Sequence, residues 1–113
     1  MLDDVASVTL STALSALAAR QRVSADNIAN IETPNFRAGQ VSFEDSLRQA
    51  VAAGDPSQAG VSISPTNDPA GINGNNVNLD TETLTDQKTS LQYQLLSGAI
   101  SSKFGLIDTV LKG

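Results

Sequence analysis

The sequence predicts a mainly α-helical protein in which two long terminal helices pair as a coiled-coil-like hairpin, joined by an irregular middle segment with short β structure. Three observations carry this prediction. Residues 3–31 contain neither glycine nor proline and are dense in alanine. Three of the four prolines and half of the eight glycines lie between residues 54 and 80. Proline is absent after residue 80, where apolar residues recur at helical spacing.

These changes in composition divide the chain of 113 residues into three parts. We assign residues 1–33 to an N-terminal helix, residues 34–79 to a middle segment rich in Pro, Gly and Asn, and residues 80–113 to a C-terminal helix. Apolar residues make up 40% of the chain and aromatic residues only 4%. Many of the apolar residues are alanines, which bury little area. A self-sufficient globular core is therefore not expected, and spare apolar surface favours a component of an assembly.

The N-terminal helix has signals at both ends. Asp3 or Asp4 can cap its start, because an aspartate there accepts a hydrogen bond from a free backbone N–H group. Thr33-Pro34 marks its end, because a residue before proline is disfavoured in the helical conformation. Between these signals, a predicted seam follows the alternating spacing of four and three residues that is typical of coiled coils. Its positions are Leu10, Leu14, Leu17, Gln21, Ser24, Ile28 and Ile31.

The middle segment has three local signals. A short helix is predicted near residues 42–53, with Ser42 as its N-cap and Gly54 as its C-terminal stop. Apolar residues at positions 61 and 63 alternate with serines, which predicts one short strand. The Asn73-Gly74 pair is typical of a tight hairpin turn.

The C-terminal helix is predicted to have Asp80 as its N-cap. Two apolar stripes follow, and the change from one to the other near Leu95-Leu96 resembles a coiled-coil stutter. The similar periods of the two terminal helices predict that they pair with each other. The first stripe contains Leu84, Leu91 and Leu95, and the second contains Tyr93, Leu96, Ile100, Phe104, Ile107 and Leu111.

Composition also excludes several kinds of chemistry. The chain contains no His and no Cys, which rules out His-dependent triads, thiol nucleophiles, disulfides and zinc sites with N or S ligands. The Glu44-Asp45 carboxylates are adjacent on a helix and do not converge on one substrate atom, which disfavours an acidic hydrolase. The Asn-rich residues 73–80 do not match the spacing of an EF-hand. We therefore predict no catalytic residue, no cofactor and no metal site.

The charge balance narrows the choice of partners. The net charge is −5 with only seven basic residues, which argues against binding nucleic acid or an anionic membrane surface. No apolar run approaches the roughly 20 residues that span a bilayer, so no direct membrane insertion is expected. The acidic start of the chain is not typical of a signal peptide.

The densest motif covers residues 24–37. A helix that ends in Asn27-Ile28-Ala29-Asn30-Ile31 is followed by Thr33-Pro34 and then by Asn35-Phe36. This order resembles the signature of the flagellar axial proteins, whose usual form is Asn-Asn-Ile-Ala-Asn-x-x-Thr-Pro-Gly-Tyr. Within that group the chain is most similar to the basal-body rod proteins of the proximal rod, because it has no room for large inserted domains.

The downstream sequence agrees with the same family. The family pattern is also matched at Val41-Ser42-Phe43-Glu44, Gly74-Asn75-Asn76-Val77-Asn78-Leu79-Asp80-x-Glu82, Leu91-x-Tyr93-Gln94 and Ser102-Lys103-Phe104. The resemblance thus covers both ends of the chain, whereas the middle has no recognisable match. The sequence departs from the family pattern at Asp26, Asn35, Phe36, Thr83 and Thr89.

The resemblance implies a structural subunit of the flagellar rod that polymerises through its terminal helices, transmits torque and encloses the export channel. It implies partners among the other rod proteins, at the base of the basal body with its export gate, and in further copies of the chain itself. It also implies a location in the rod, reached by flagellar type III export without a cleaved signal peptide.

Subunit contacts are expected along the two helices and at the motif. Asn27 and Asn30 lie on one helical face, where an amide between packed helices can fix their register. The expected interface residues are Leu10, Leu14, Leu17, Asn27, Ile28, Asn30, Ile31, Pro34, Phe36, Leu91, Tyr93, Leu95, Ile100, Phe104, Ile107 and Leu111.

Two alternatives stay open on sequence grounds. The other small protein of the proximal rod shares the motif, although the Phe43-Glu44 segment favours the first assignment. A soluble helical adaptor or export chaperone belongs to a different class, because it would form a defined complex and would not polymerise.

Overall fold

The computed structural model describes the backbone of residues 4–112 and the side chains of residues 4–102. The chain forms helix α1 (Val5–Ala29), strand β1 (Gly39–Ser42), helix α2 (Glu44–Ala52), a 3-10 turn (Pro56–Gln58), strand β2 (Ser62–Pro65) and helix α3 (Leu79–Lys112). The predicted mainly α-helical fold with long N- and C-terminal helices is confirmed. The molecule measures 64 × 26 × 14 Å, and its radius of gyration of 17.5 Å exceeds the roughly 13 Å of a compact domain this size.

Local hydrogen bonds close both ends of helix α1. The Asp4 side chain accepts the Ser7 N–H at 2.7 Å, which confirms the predicted N-cap. The last helical residue is Ala29, and Asn30 closes the helix by donating its N–H to the Asp26 and Asn27 carbonyls. The chain then turns sharply through the predicted Thr33-Pro34 stop.

Strands β1 and β2 form a two-stranded antiparallel sheet. Its register pairs Gly39 with Pro65 at one end and Ser42 with Ser62 at the other. The predicted strand around residues 61–63 is therefore confirmed, but the prediction of a hairpin turn at Asn73-Gly74 is wrong. That pair lies in the loop before α3, because the residues flanking it do not alternate apolar and polar side chains as strands do.

Helix α2 corrects one predicted cap. Ser42 pairs with Ser62 in the sheet, so it does not cap the helix, and Phe43 occupies the N-cap position without a side-chain hydrogen bond. The Phe43 ring is instead buried in the core. At the other end, Gly54 adopts a φ of +86° just after the helix, which confirms the predicted stop.

Helix α3 begins one residue earlier than its predicted cap. Leu79 is the first helical residue, and the Asn78 side chain accepts the Thr81 N–H at 3.1 Å. The prediction of Asp80 as N-cap is therefore wrong, because Asp80 already lies in the first turn. Its carboxylate there complements the positive end of the helix dipole.

Helices α1 and α3 pack against each other in opposite directions. Asn27 near the end of α1 bonds to Glu82 near the start of α3, and Leu96 packs on a core cluster that contains Ala13 and Leu17. The cluster also contains Ala16 of α1, Val41 of β1 and Phe43, which follows β1. The predicted pairing of the terminal helices is confirmed.

The residues at the contact differ from the predicted seam. On α1 the buried positions are often those that immediately precede predicted ones, with Ala13 instead of Leu14 and Asn27 instead of Ile28. Leu17 packs in the core cluster together with Ala13 and Ala16, whereas Leu10 and Leu14 are half-buried. Among the predicted seam positions of α1, Leu17 and Ser24 are buried. Within the described part of the chain, no helix is long and apolar enough to span a bilayer.

Candidate functional site

Asn27 joins three elements at the end of α1. Its Oδ1 accepts the Gly39 N–H at 2.9 Å, and its Nδ2 donates to the Gly39 carbonyl at 2.9 Å. These two bonds occupy the edge of β1 that does not face β2, as a neighbouring strand would. The same Nδ2 donates to Glu82 Oε1 of α3 at 2.9 Å. With an exposed fraction of only 2%, Asn27 uses its whole amide inside the chain.

Glu82 is a buried carboxylate that faces neutral donors. Its Oε1 accepts from Asn27, and its Oε2 accepts the Ser24 hydroxyl at 2.8 Å. Because Ser24 and Asn27 are three residues apart, they lie on the same face of α1 and meet the two carboxylate oxygens together. We call Ser24, Asn27 and Glu82 the polar clasp.

Asn75 closes the C-terminal end of α1 from outside the helix. Its Nδ2 donates to the Asn30 and Thr33 carbonyls, each at 2.8 Å, and its Oδ1 accepts the Val77 N–H at 2.8 Å. The last carbonyls of a helix lack partners within the helix. Asn75 therefore supplies donors that α1 and its terminal turn need, although it lies 45 residues away from Asn30.

Asn76 holds the segment between the motif and β1. Its backbone N–H donates to the Phe36 carbonyl at 3.2 Å, and its Oδ1 accepts the Ala38 N–H at 2.6 Å. Its Nδ2 donates to Thr66 Oγ1 at 2.9 Å. One buried side chain thus connects the loop before α3 to Ala38, which precedes β1, and to Thr66, which follows β2.

The close approach of the loop to the motif requires a glycine. Gly74 has a φ of +79°, and a Cβ on it would lie 2.2 Å from Asn35 Oδ1. Asn35 itself has a φ of +62°, and its N–H donates to the Asn73 carbonyl at 2.9 Å. Asn adopts this left-handed conformation more readily than other residues with side chains, so the departure from the usual glycine is accommodated.

Arg20 forms a second tie between α1 and the middle segment. It donates to the Val41 carbonyl at 2.8 Å, pairs with Glu44 at 2.7 Å, and places its guanidinium 4.9 Å from the centre of the Phe43 ring. Partial burial acts to raise the pKa of Glu44. Hydrogen bonds from Arg20 and from backbone N–H groups outweigh that effect, so the pKa lies below its ordinary value of 4.5.

The predicted interface residues fall into three groups by exposure. Two of them, Leu17 and Asn27, are buried inside the chain, so the surface proposed below does not include them. Half-buried residues are Leu10, Leu14, Asn30, Ile31, Phe36 and Ile100. Exposed residues are Ile28, Pro34, Leu91, Tyr93 and Leu95. The predictions at Phe104, Ile107 and Leu111 fall outside the side chains that the structure describes.

Sequence reasoning missed the partners of the motif. Asn75, Asn76 and Glu82 belong to the run that matches the family pattern, but none was selected as a site residue. Their signal was an Asn-rich stretch directly before a helix, where side-chain amides commonly satisfy free backbone groups. Thr89, one of the departures from the family pattern, is 1% exposed, and its hydroxyl donates to the Thr85 carbonyl within α3.

Comparison of the sequence with known proteins identifies a family to which the chain is similar. The profile of the family described as flagella basal body rod protein matches residues 9–37, which include the motif. The flagellar basal body rod protein FlgB of Bacillus subtilis is 35% identical over 92% of this chain and 91% of its own length. This chain belongs to the flagellar basal body rod protein family.

Other relatives of the rod protein family support the same conclusion. FlgB of Borreliella burgdorferi is 31% identical over 88% of this chain and 90% of its own length. FlgB of Escherichia coli is 28% identical, with 89% of both chains covered. The chain is therefore a structural rod protein, and the alternative of a soluble adaptor or export chaperone is not favoured.

Proposed function

We propose that this chain is built into the flagellar rod through the outer faces of α1 and α3, and that the rod thereby transmits torque and encloses the export channel. The observation that carries this proposal is the outer face of α3. Leu84, Leu91 and Leu95 are 53%, 58% and 65% exposed, and their spacings of seven and four residues place them on one side of the helix.

These three leucines, which we call the leucine stripe, point away from the contact with α1. Glu82, Thr89 and Leu96, which packs against the core cluster, lie on a different side of the helix. A leucine that stays in water forgoes roughly 1.5–3 kcal/mol of transfer free energy. A row of three such residues supports a surface that another molecule covers.

Helix α1 supplies further exposed or half-buried apolar surface. Ile28 is exposed, and Leu10, Leu14 and Ile31 are half-buried on the flank of the intrachain contact. Together with the leucine stripe, these residues give two helices with apolar surface left over after the chain has folded. Repeated contacts along two long helices suit a structure that must resist torsion.

The proposed partners are other rod proteins, further copies of this chain, and the base of the basal body with its export gate. We propose a purely structural role without a catalytic step, and entry into the rod by flagellar type III export without cleavage of a signal peptide. Assembly with these partners is the function to be tested.

The test is rod assembly in a strain whose own copy carries Leu91→Asp and Leu95→Asp. Two carboxylates in the leucine stripe would be costly to bury against a neighbour. We expect the variant to be exported, whereas basal bodies lack a complete rod and the cells do not swim.

A matched control is Ile72→Asp, which makes the same chemical change at a fully exposed loop residue outside the helices. This control strain is expected to assemble rods and to swim. Normal rods in the double variant would contradict the proposal, and so would an equal loss of rods in both strains.

A further inference from the structure

The contact between α1 and α3 has few features that would fix its register. Leu96 packs against the core cluster that contains Leu17, whereas the buried residues Ala13, Ala16 and Thr89 are small. Such small side chains make shallow surfaces, and a packed seam of uniform residues tolerates a shift of one helix along the other. Asn75 ties the loop before α3 to the end of α1, and within the helix pair itself polar contacts are needed to hold the axial position of α3.

Within the helix pair, the polar clasp is the contact that would be lost if α3 moved along α1. Among residues 5–29 and 79–102, every side-chain hydrogen bond between α1 and α3 ends on Glu82. The distances of 2.8 and 2.9 Å leave no room for an axial shift. Moving α3 by one helical turn displaces the carboxylate by about 5.4 Å, which breaks both bonds.

We infer that Glu82 is a positioning residue that sets the register of α3 on α1, and with it the position of the leucine stripe relative to the motif. This inference rests on the proposed function, because the stripe matters only if it meets a neighbour. Glu82 acts through Asn27, which its two bonds to Gly39 hold in place.

The anchoring of Asn27 is what makes the clasp directional. A free asparagine could follow Glu82 to a new position by changing its rotamer. Here the amide is fixed to the backbone of β1, and Ser24 meets the second carboxylate oxygen. A shifted α3 would bury a carboxylate without its donors, which is strongly unfavourable. A single buried polar contact that specifies register is a known device of paired helices.

The test exploits the absence of cysteine from the chain. Spin labels on Ser15→Cys in α1 and Thr83→Cys in α3 occupy exposed positions that are well separated along the helix pair. Their distance, measured by pulsed electron paramagnetic resonance on the full chain, therefore follows an axial shift. The unaltered background is expected to give one narrow distance distribution.

Asn27→Asp places a second carboxylate against Glu82 and removes the amide donor. We expect a broad distribution or a displacement of about 5 Å, one helical turn. Glu82→Gln alone keeps an acceptor for Asn27 and is expected to stay narrow. The double variant Asn27→Asp with Glu82→Gln restores an amide–carboxylate pair between the helices, although the bond to the Gly39 carbonyl stays lost, and we expect a narrower distribution than in Asn27→Asp alone.

The control is Thr89→Val, which removes a buried hydroxyl whose bond stays within α3. It is expected to leave the distance unchanged even if stability changes. The inference is overturned if Asn27→Asp keeps the original distance and width, or if adding Glu82→Gln leaves the distribution as broad or as displaced as in Asn27→Asp alone. Because these distances are measured on the isolated chain, they are independent of whether the leucine-stripe variants assemble rods.

Discussion

The two faces of α3 differ in their share of polar residues and in how far their leucines are exposed. The inner face carries the buried Glu82 and Thr89 and the half-buried Leu96, whereas the outer face carries Leu84, Leu91 and Leu95, each more than half exposed. An amphipathic helix on the surface of a globular protein usually turns its leucines toward the core and its polar residues toward water. This distribution supports our proposal that polar, directional contacts help to define the shape of the chain while its larger exposed apolar surface meets neighbours.

The same division applies to the chain as a whole. Its own core is a small cluster around Leu17, Val41 and Phe43. Around that cluster, asparagines bridge segments that are far apart in sequence, as Asn75 does for the end of α1. Such side-chain bonds order the chain without consuming apolar area. The lesson is that a subunit of an assembly can be defined internally by hydrogen bonds while its leucines remain available.

The largest expected effect separates an inner leucine from an outer one. Leu17→Ala empties a position that is 1% exposed and should lower the free energy of unfolding by about 3 kcal/mol. Leu91→Ala, the matched control at 58% exposure, should change it by about 0.5 kcal/mol or less. Urea unfolding of the isolated chain measures both. Equal losses of unfolding free energy in the two variants would contradict the proposed difference between the inner and the outer leucine.

A second experiment sharpens the role of the polar ties. Asn75→Ala removes donors from the Asn30 and Thr33 carbonyls and an acceptor from the Val77 N–H. We expect a loss of about 2 kcal/mol, because partly buried backbone groups are left without partners. Hydrogen exchange should also accelerate at the end of α1. Asn67→Ala, at an exposed position, serves as the control and should change neither measurement.

A smaller effect is expected at the close approach of the loop to the motif. Gly74→Ala places a Cβ against Asn35 and strains a residue whose φ is +79°. The expected loss is about 1 kcal/mol in urea unfolding. Gly98→Ala is the control, because nothing lies within 4 Å of its added Cβ. This variant should raise stability slightly, since alanine favours the helix. A loss at Gly98 equal to that at Gly74 would contradict the account.

The smallest effect concerns the ion pair between Arg20 and Glu44. The pKa of Glu44 is lowered in the folded chain, so the pair stabilises the fold fully above the unfolded value of 4.5. That contribution is lost as the pH falls through the lower folded pKa. Because Glu44 is about half exposed, it should amount to less than about 1 kcal/mol. Glu44→Gln should weaken the dependence of the free energy of unfolding on pH below about 4.5. An unchanged pH dependence would contradict a stabilising ion pair between Arg20 and Glu44.

Sequence patterns identified the elements whose causes are local. The Asp4 cap and the stop at Gly54 depend on neighbouring residues, and both predictions were confirmed, whereas α1 ends at Ala29, before the predicted stop at Thr33-Pro34. The family resemblance likewise depended on a contiguous motif. Contacts between segments that are distant in sequence could not be predicted from such local patterns.

The errors arose where a tertiary contact decides the outcome. Ser42 looked like a cap but pairs with Ser62, and Asn73-Gly74 looked like a hairpin turn but meets Asn35. The seam was predicted along leucines because periodicity does not reveal which face of a helix meets its own chain. The partnership of Asn27 with Glu82 spans 55 residues, so no local pattern contains it.

The most direct test of the division between inner and outer faces is the labelling rate of Leu95→Cys by a maleimide. The chain has no other cysteine, so the label that is recovered on this chain after it is separated from other proteins reports this position alone. In the isolated chain the thiol should react rapidly, because Leu95 is 65% exposed. In purified basal bodies we predict that it is protected by a neighbouring subunit. Equally rapid labelling in both states would contradict the account.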